Sequence, residues 1–309
     1  SDYRAGGLYI AYNSQLELTT SLISNNQAIN DVAGGIEFNE STGIIDNCII
    51  DGNIANNTGG IALIDSHIDI SNSLISNNTA EQYSGAALQY NVNSSGTLNN
   101  VTITNNYSMD DTPTIALSSN SEISQIQNSI IYNNNAENVF QNQDQNVDIL
   151  DVDINIMYSN IQGGWEGEGN INADPQFTDP DNGDYTLQST SPCIDAGDPE
   201  SDLDLDGTRA DMGAYPFFQI PGCIDEIAEN YDFEANIDDG SCLYIEEYEL
   251  HEGANLVSFL SLPNDASIGN VIPTTQNPDI SSIIGEGEAA SLSNGAWIGN
   301  LDEISLLRG

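Results

Sequence analysis

The chain has no lysine and only three arginines, against 48 aspartates and glutamates, which gives a formal charge of −45 over 309 residues. So few cations cannot neutralise a phosphate backbone, so no nucleic-acid partner is expected and anionic membrane surfaces are poor partners. Long apolar runs are absent as well, so no segment is expected to insert into a membrane, and no signal peptide opens the chain at Ser1. Both ends interrupt a pattern, Ser1 within a repeat and Arg308-Gly309 within strand-like sequence, and both are expected to be cuts in a longer precursor. Aromatics are scarce, at 7%, and Tyr9, Tyr12, Tyr90, Tyr107 and Tyr132 form no stripe at one repeat position. Four cysteines lack metal-ligand spacing. Cys48 and Cys193 read as buried residues, whereas Cys223 and Cys242 bracket one short acidic segment and read as a disulfide, expected outside a reducing cytosol. Charge of this size repels itself, so divalent cations or a saline medium are expected to hold the compact state.

What is present is repetition. GGLYI (6–10), GGIEF (34–38), GGIAL (59–63) and SGAAL (84–88) carry their second glycine at 7, 35, 60 and 85. A second mark follows about eighteen residues on in SLISNN (21–26), CIIDGN (48–53), SLISNN (73–78), VTITNN (101–106) and SIIYNN (129–134). Two marks keeping one period indicate a solenoid built coil by coil. After each glycine the apolar residues alternate, as Leu8/Ile10, Ile36/Phe38, Ile61/Leu63, Ala86/Leu88 and Ile115/Leu117, the period of a strand with one face buried. Leu16/Leu18 and Ile68/Ile70 mark a second strand, and Ile23, Ile50, Ile75, Ile103 and Ile131 a third. The expected fold is therefore all-β, a parallel β-helix of three strands per coil and about six coils. Of the 39 asparagines, 28 precede residue 161. A corner repeated in every coil stacks identical amides into a hydrogen-bonded ladder, and asparagine also tolerates left-handed corners.

Residues 6 to about 160 resemble the right-handed parallel β-helix repeats of secreted and surface proteins, a superfamily that includes pectate lyases, polygalacturonases and phage tailspikes. The stretch 159–217, with ADPQF, DYTL, SPCIDAG, DGTR and DMGAY, resembles the closing segment of bacterial surface β-helices held by variable C-terminal anchors. That resemblance implies a cap on the last coil (160–217) and a bacterial extracellular or cell-surface location. GCIDEIAENYDFEANIDDGSCLY (222–244) resembles a Cys-bracketed module of secreted marine bacterial proteins. LHEGANLVSF (250–259), IIGEGEAA (283–290) and GAWIGNL (295–301) resemble a small β-rich unit near the C-termini of such proteins. The expected organisation is a capped β-helix over 1–217, an acidic module over 218–245 and a β-rich domain over 246–309.

The leading metal candidate is Asp202-x-Asp204-x-Asp206-Gly207. Oxygens at alternate positions of a turning loop converge on a hard cation, and calcium is the ion expected. The loop opens like an EF-hand but has Gly213 where the bidentate glutamate belongs, leaving Asp211 or a distant oxygen to complete the shell; an acidic loop held by Arg209 is the alternative. Asp232, Glu234, Asn236 and Asp238 form a second alternating set ahead of Gly240. For catalysis, the lyase chemistry of β-helices needs an Arg or Lys, and the repeats offer only Arg4. Polygalacturonase chemistry has its nearest match in Asp110-Asp111 without the accompanying motifs. Asp65, His67 and Asp69 alternate onto one outer face, most simply as an exposed polar strand. No catalytic residue is assigned. The expected function is a non-enzymatic surface rod or self-assembling filament subunit, joined to copies of itself through its chain ends and stabilised by calcium. The alternative is a polysaccharide-binding protein or glycoside hydrolase.

Overall fold

The computed structural model describes residues 5–29, 32–82, 85–109, 113–118, 120–135, 139–142, 154–244, 262, 265–273, 279–284 and 288–304. Arg4, Asp110-Asp111 and the 250–259 segment lie outside them. The chain divides into two compact units, residues 1–218 and 219–309.

The first unit is a solenoid of stacked parallel strands. Its first sheet runs Leu8–Ala11, Ile36–Asn39, Ile61–Ile64, Leu88–Asn91, Ile115–Leu117 and Phe140–Asn142. The second runs Gln15–Thr19, Thr42–Asp46, His67–Ser71, Ser95–Asn99, Glu122–Gln127 and Ile156–Met157. The third runs Leu22–Ser24, Ile49–Asp51, Leu74–Ser76, Thr102–Thr104, Ile130–Tyr132 and Asn160–Ile161. Each sheet takes one strand from each successive coil, which bears out the β-helix. A fourth, two-residue ladder (Gln27–Ala28, Ile54–Ala55, Thr79–Ala80, Tyr107–Ser108) was not expected, because two residues are too few to show a period.

Register departs from the glycine alignment at one point. Ile61 pairs with Leu88 and Leu63 with Tyr90, so Gly60 stacks on Ala87 rather than on Gly85. The turn before the fourth coil is longer than its predecessor, and strand pairing fixes the register; a shift of two residues keeps every side chain on its own face. The paired glycines answer a close approach of backbones. A Cβ on Gly34 would come within 2.6 Å of Gly59 O and Ile54 N.

The core is one continuous stack of Ile, Leu, Phe and Tyr from successive coils. Large and small residues alternate across it. Phe38 and Tyr90 enter from the first sheet over Gly43 and Gly96 of the second, where the intervening coil uses Leu63 and Ile68. At the corners, the first residue of each Asn-Asn pair is left-handed, as at Asn25, Asn77, Asn105 and Asn133 (φ 54 to 57°). The second is turned inward. Asn26, Asn53, Asn78, Asn106 and Asn134 form a ladder in which each Oδ1 from Asn53 onward accepts both the backbone N–H and the Nδ2 of the preceding asparagine, at 2.9 to 3.0 Å. The remaining amide proton goes to an inward isoleucine carbonyl, as Asn78 Nδ2 to Ile50 O at 2.9 Å. Serines do the same at the other corners, through Ser14, Ser41, Ser66, Ser94 and Ser121 and again through Ser129 and Ser159.

Residues 158–217 do more than close the last coil. Asn170 accepts the N–H of Ser159, Ile171 bridges Asn160 and accepts the N–H of Ile161 at 3.0 Å, and Trp165 packs edge-on against Phe140 at 5.1 Å. From 172 the chain turns back along the outside of the third sheet. Phe177, Tyr185, Leu187, Cys193 and Met212 of this return segment pack on the outward-facing Leu74 and Ile130. Polar contacts fix it to several coils, including Ala214 N–H to Thr102 Oγ1 at 2.9 Å, Gly213 N–H to Asn128 O at 2.7 Å and Tyr185 with Asn77 and Asn105 at 3.3 Å. Cys48 and Cys193 are both buried.

In the second unit, Cys223 and Cys242 form a disulfide. A three-stranded antiparallel sheet (Ser282–Ile284, Ala289–Ser293, Ala296–Gly299) packs through Ala290, Ile268 and Leu301, and Trp297 donates its indole N–H to Ile272 O at 3.0 Å.

Candidate functional sites: acidic loops and the outer solenoid face

The first acidic loop lies in the return segment. Asp202 is exposed, Asp204 and Asp206 are half-buried and Asp211 is only 1% exposed. Backbone groups draw three carboxylates together: Asp204 Oδ2 accepts the N–H of Asp211 at 2.9 Å, and the two oxygens of Asp211 accept the N–H groups of Asp195 (2.7 Å) and Phe217 (2.6 Å). Burial, with Asp204 and Asp195 close by, pushes the Asp211 carboxyl up to about 6. Burial likewise raises Asp204, with Asp206 and Asp195 adding to the effect. Asp195 is thus a member of this acidic group that loop spacing could not show, since it comes from the SPCIDAG turn rather than from the loop. Asp206 caps its own turn by accepting from Thr208 N–H and Oγ1 at 3.1 and 2.7 Å. Arg209 does not organise these carboxylates by a charge pair. Its Nε donates to Gly197 O at 2.6 Å, and its guanidinium lies 5.7 Å from the Tyr158 ring centre.

The second acidic set is exposed or half-buried within the disulfide-bracketed segment. Asp232 Oδ1 accepts Glu234 N–H at 3.0 Å, Asn236 Oδ1 accepts Ile220 N–H at 2.8 Å and Asp238 Oδ1 accepts Gly240 N–H at 2.9 Å. These bonds shape turns. Among the described residues, no group of three or more His, Cys, Asp or Glu is arranged to hold a metal ion.

On the outer face of the second sheet, His67 and Asp69 share one strand, with Nε2 and Oδ2 3.4 Å apart. Asp65 does not join them. It sits in a left-handed corner (φ 47°) ahead of the strand and outside its alternation. Around Tyr9, Tyr12 and Leu16 of the first coil the surface bears a shallow open depression. No described helix is long and apolar enough to cross a membrane.

The model of the right-handed β-helix region matches residues 5–170. No curated protein and no solved structure matches the chain. Stacked parallel sheets, one strand per coil, agree with the matched span, and the chain belongs to the right-handed β-helix family.

Proposed function

We propose that this protein is a non-catalytic structural element of the bacterial cell exterior, a surface rod or filament subunit that adds copies of itself and is stabilised by calcium. The observation that carries the reading is the set of buried ladders. Corner after corner, the asparagine and serine side chains are engaged in joining one coil to the next, at 2.9 to 3.3 Å. A scaffold whose polar groups are committed to stacking is built for shape and stiffness.

Self-addition is supported by the architecture of the stack: each coil pairs with the next through parallel strands in all three main sheets, and such pairing can be continued by strands of another copy. The outer strands of the sheet in the second unit are further edges among the described residues, with Ile284 and Ile298 exposed. Joining two different edges is heterologous, and a rotation that does not close makes it a filament. Calcium is supported by charge: Asp206 and Asp195 lie near enough to Asp204, and Asp204 and Asp195 to Asp211, to add to the burial that raises those carboxyls, in a chain of net charge −45.

Negative-stain electron microscopy at micromolar concentration, with calcium and with chelator, tests both parts. Regular filaments that disperse on chelation are expected. Monodisperse short rods in both conditions would overturn self-addition, and a melting temperature unmoved by chelation at low ionic strength would overturn structural calcium.

A further inference from the structure

His67 and Asp69 are held from behind. Their strand pairs with Ser95–Asn99 of the next coil so that His67 lies beside Ser95 and Asp69 beside Thr97. His67 Nδ1 is 2.8 Å from Ser95 Oγ, and Thr97 Oγ1 donates to Asp69 Oδ1 at 2.6 Å. Each neighbour engages the atom that faces away from the pair. The 2.8 Å contact fits either tautomer: with the imidazole proton on Nε2 it faces Asp69 Oδ2, and with the proton on Nδ1, donated to Ser95, Nε2 presents a lone pair towards the lone pairs of Asp69 Oδ2, 3.4 Å away. Two such atoms repel unless a proton or a cation sits between them.

We propose that His67 and Asp69 form a surface chelate for a divalent transition cation, zinc above all, with Nε2 and Oδ2 as the two protein ligands and water in the remaining positions. The edge of a zinc tetrahedron with N and O ligands is about 3.4 Å, from metal–ligand distances of roughly 2.0 to 2.2 Å. That matches the observed separation without movement of either side chain. A hydrogen bond to the far nitrogen of the imidazole and another to the far oxygen of the carboxylate are the supports that metal ligands characteristically carry. Both side chains are about half exposed, at 46 and 47%, which leaves room for water or an outside ligand on the metal.

Imidazole gives the site its selectivity, because calcium and magnesium take oxygen ligands whereas zinc accepts nitrogen readily. The strongly negative chain raises the local concentration of every divalent cation. A proton is the rival occupant, and an exposed imidazolium–carboxylate pair is a weak one. Thr42, Ile44, Ser95 and Thr97 flank the pair and carry no charge, and Glu17 and Glu122 lie one coil further along the same rows.

The chain has two histidines, His67 and His251, so selective nitrogen-15 histidine labelling gives two imidazoles to follow by NMR. Zinc is titrated with calcium in large excess to occupy the carboxylates, and His67→Gln assigns the signals. A saturable shift of the His67 Nε2 resonance is expected, at least tenfold weaker in Asp69→Asn, with circular dichroism showing that the variant remains folded. Zinc moving only His251, calcium displacing zinc from His67, or Asp69→Asn binding as tightly as the parent would each overturn the chelate.

Discussion

Tyr90 has its whole side chain inside the solenoid and a hydroxyl with no hydrogen-bond partner among the described residues. A buried, unpaired hydroxyl costs free energy, and burial also raises its pKa above the ordinary tyrosine value. Tyr90→Phe keeps the ring over Gly96 and removes the orphan, so it is expected to stabilise the first unit by about 1–2 kcal/mol in denaturant unfolding. The asparagine ladder was legible because two amides recur in SLISNN, VTITNN and SIIYNN. The division of labour within each pair was not, since one letter stands for both the left-handed corner and the buried rung. The serine ladders left no mark either, because a single serine in a polar turn is ordinary. At the acidic loop, Asp204, Asp206 and Asp211 could be named from spacing, but Asp195 comes from a separate stretch of chain and only folding brings it near.

Strands with identical sequence have different fates according to what lies over them. SLISNN occurs twice, and its outward leucine is 62% exposed at Leu22 but 4% exposed at Leu74. The return segment accounts for the difference, because it packs on Leu74. Leu74→Ser is expected to destabilise by about 2–4 kcal/mol and to raise hydrogen exchange through residues 177–217, while Leu22→Ser stays within about 0.5 kcal/mol. The alternation identified which residues point inward. It was silent on the outward row of Leu22, Ile49, Leu74 and Ile130, whose apolar character was the available sign that something covers this sheet. Nothing local could identify the cover, since Asp211 and Asn100 meet across 111 residues. The two-residue error at Gly85 has the same origin: a motif was matched, whereas pairing along whole strands sets the register.

For the molecule as a whole, charge dominates, and Asp211 shows how pH acts on it. Its folded pKa, about 6, lies above the unfolded value of roughly 3.9, so the protonated form is favoured by folding. The associated stability is fully present below about pH 4 and is lost as pH rises through about 6. In chelator, melting temperature is expected to rise between pH 7 and pH 5, and to rise less in Asp211→Asn. Bound calcium would favour the ionised carboxylate and reverse the sign, so melts at both pH values with and without the ion separate the two states. The return segment also bears on the order of assembly. A stack whose coils touch only their neighbours can open or close one storey at a time, like beads along a line. Contacts reaching back more than a hundred residues can form only after those storeys exist, and once formed they bind the middle coils to a common fate. The first coil meets none of these contacts among the described residues and is tied to that fate only through its neighbour.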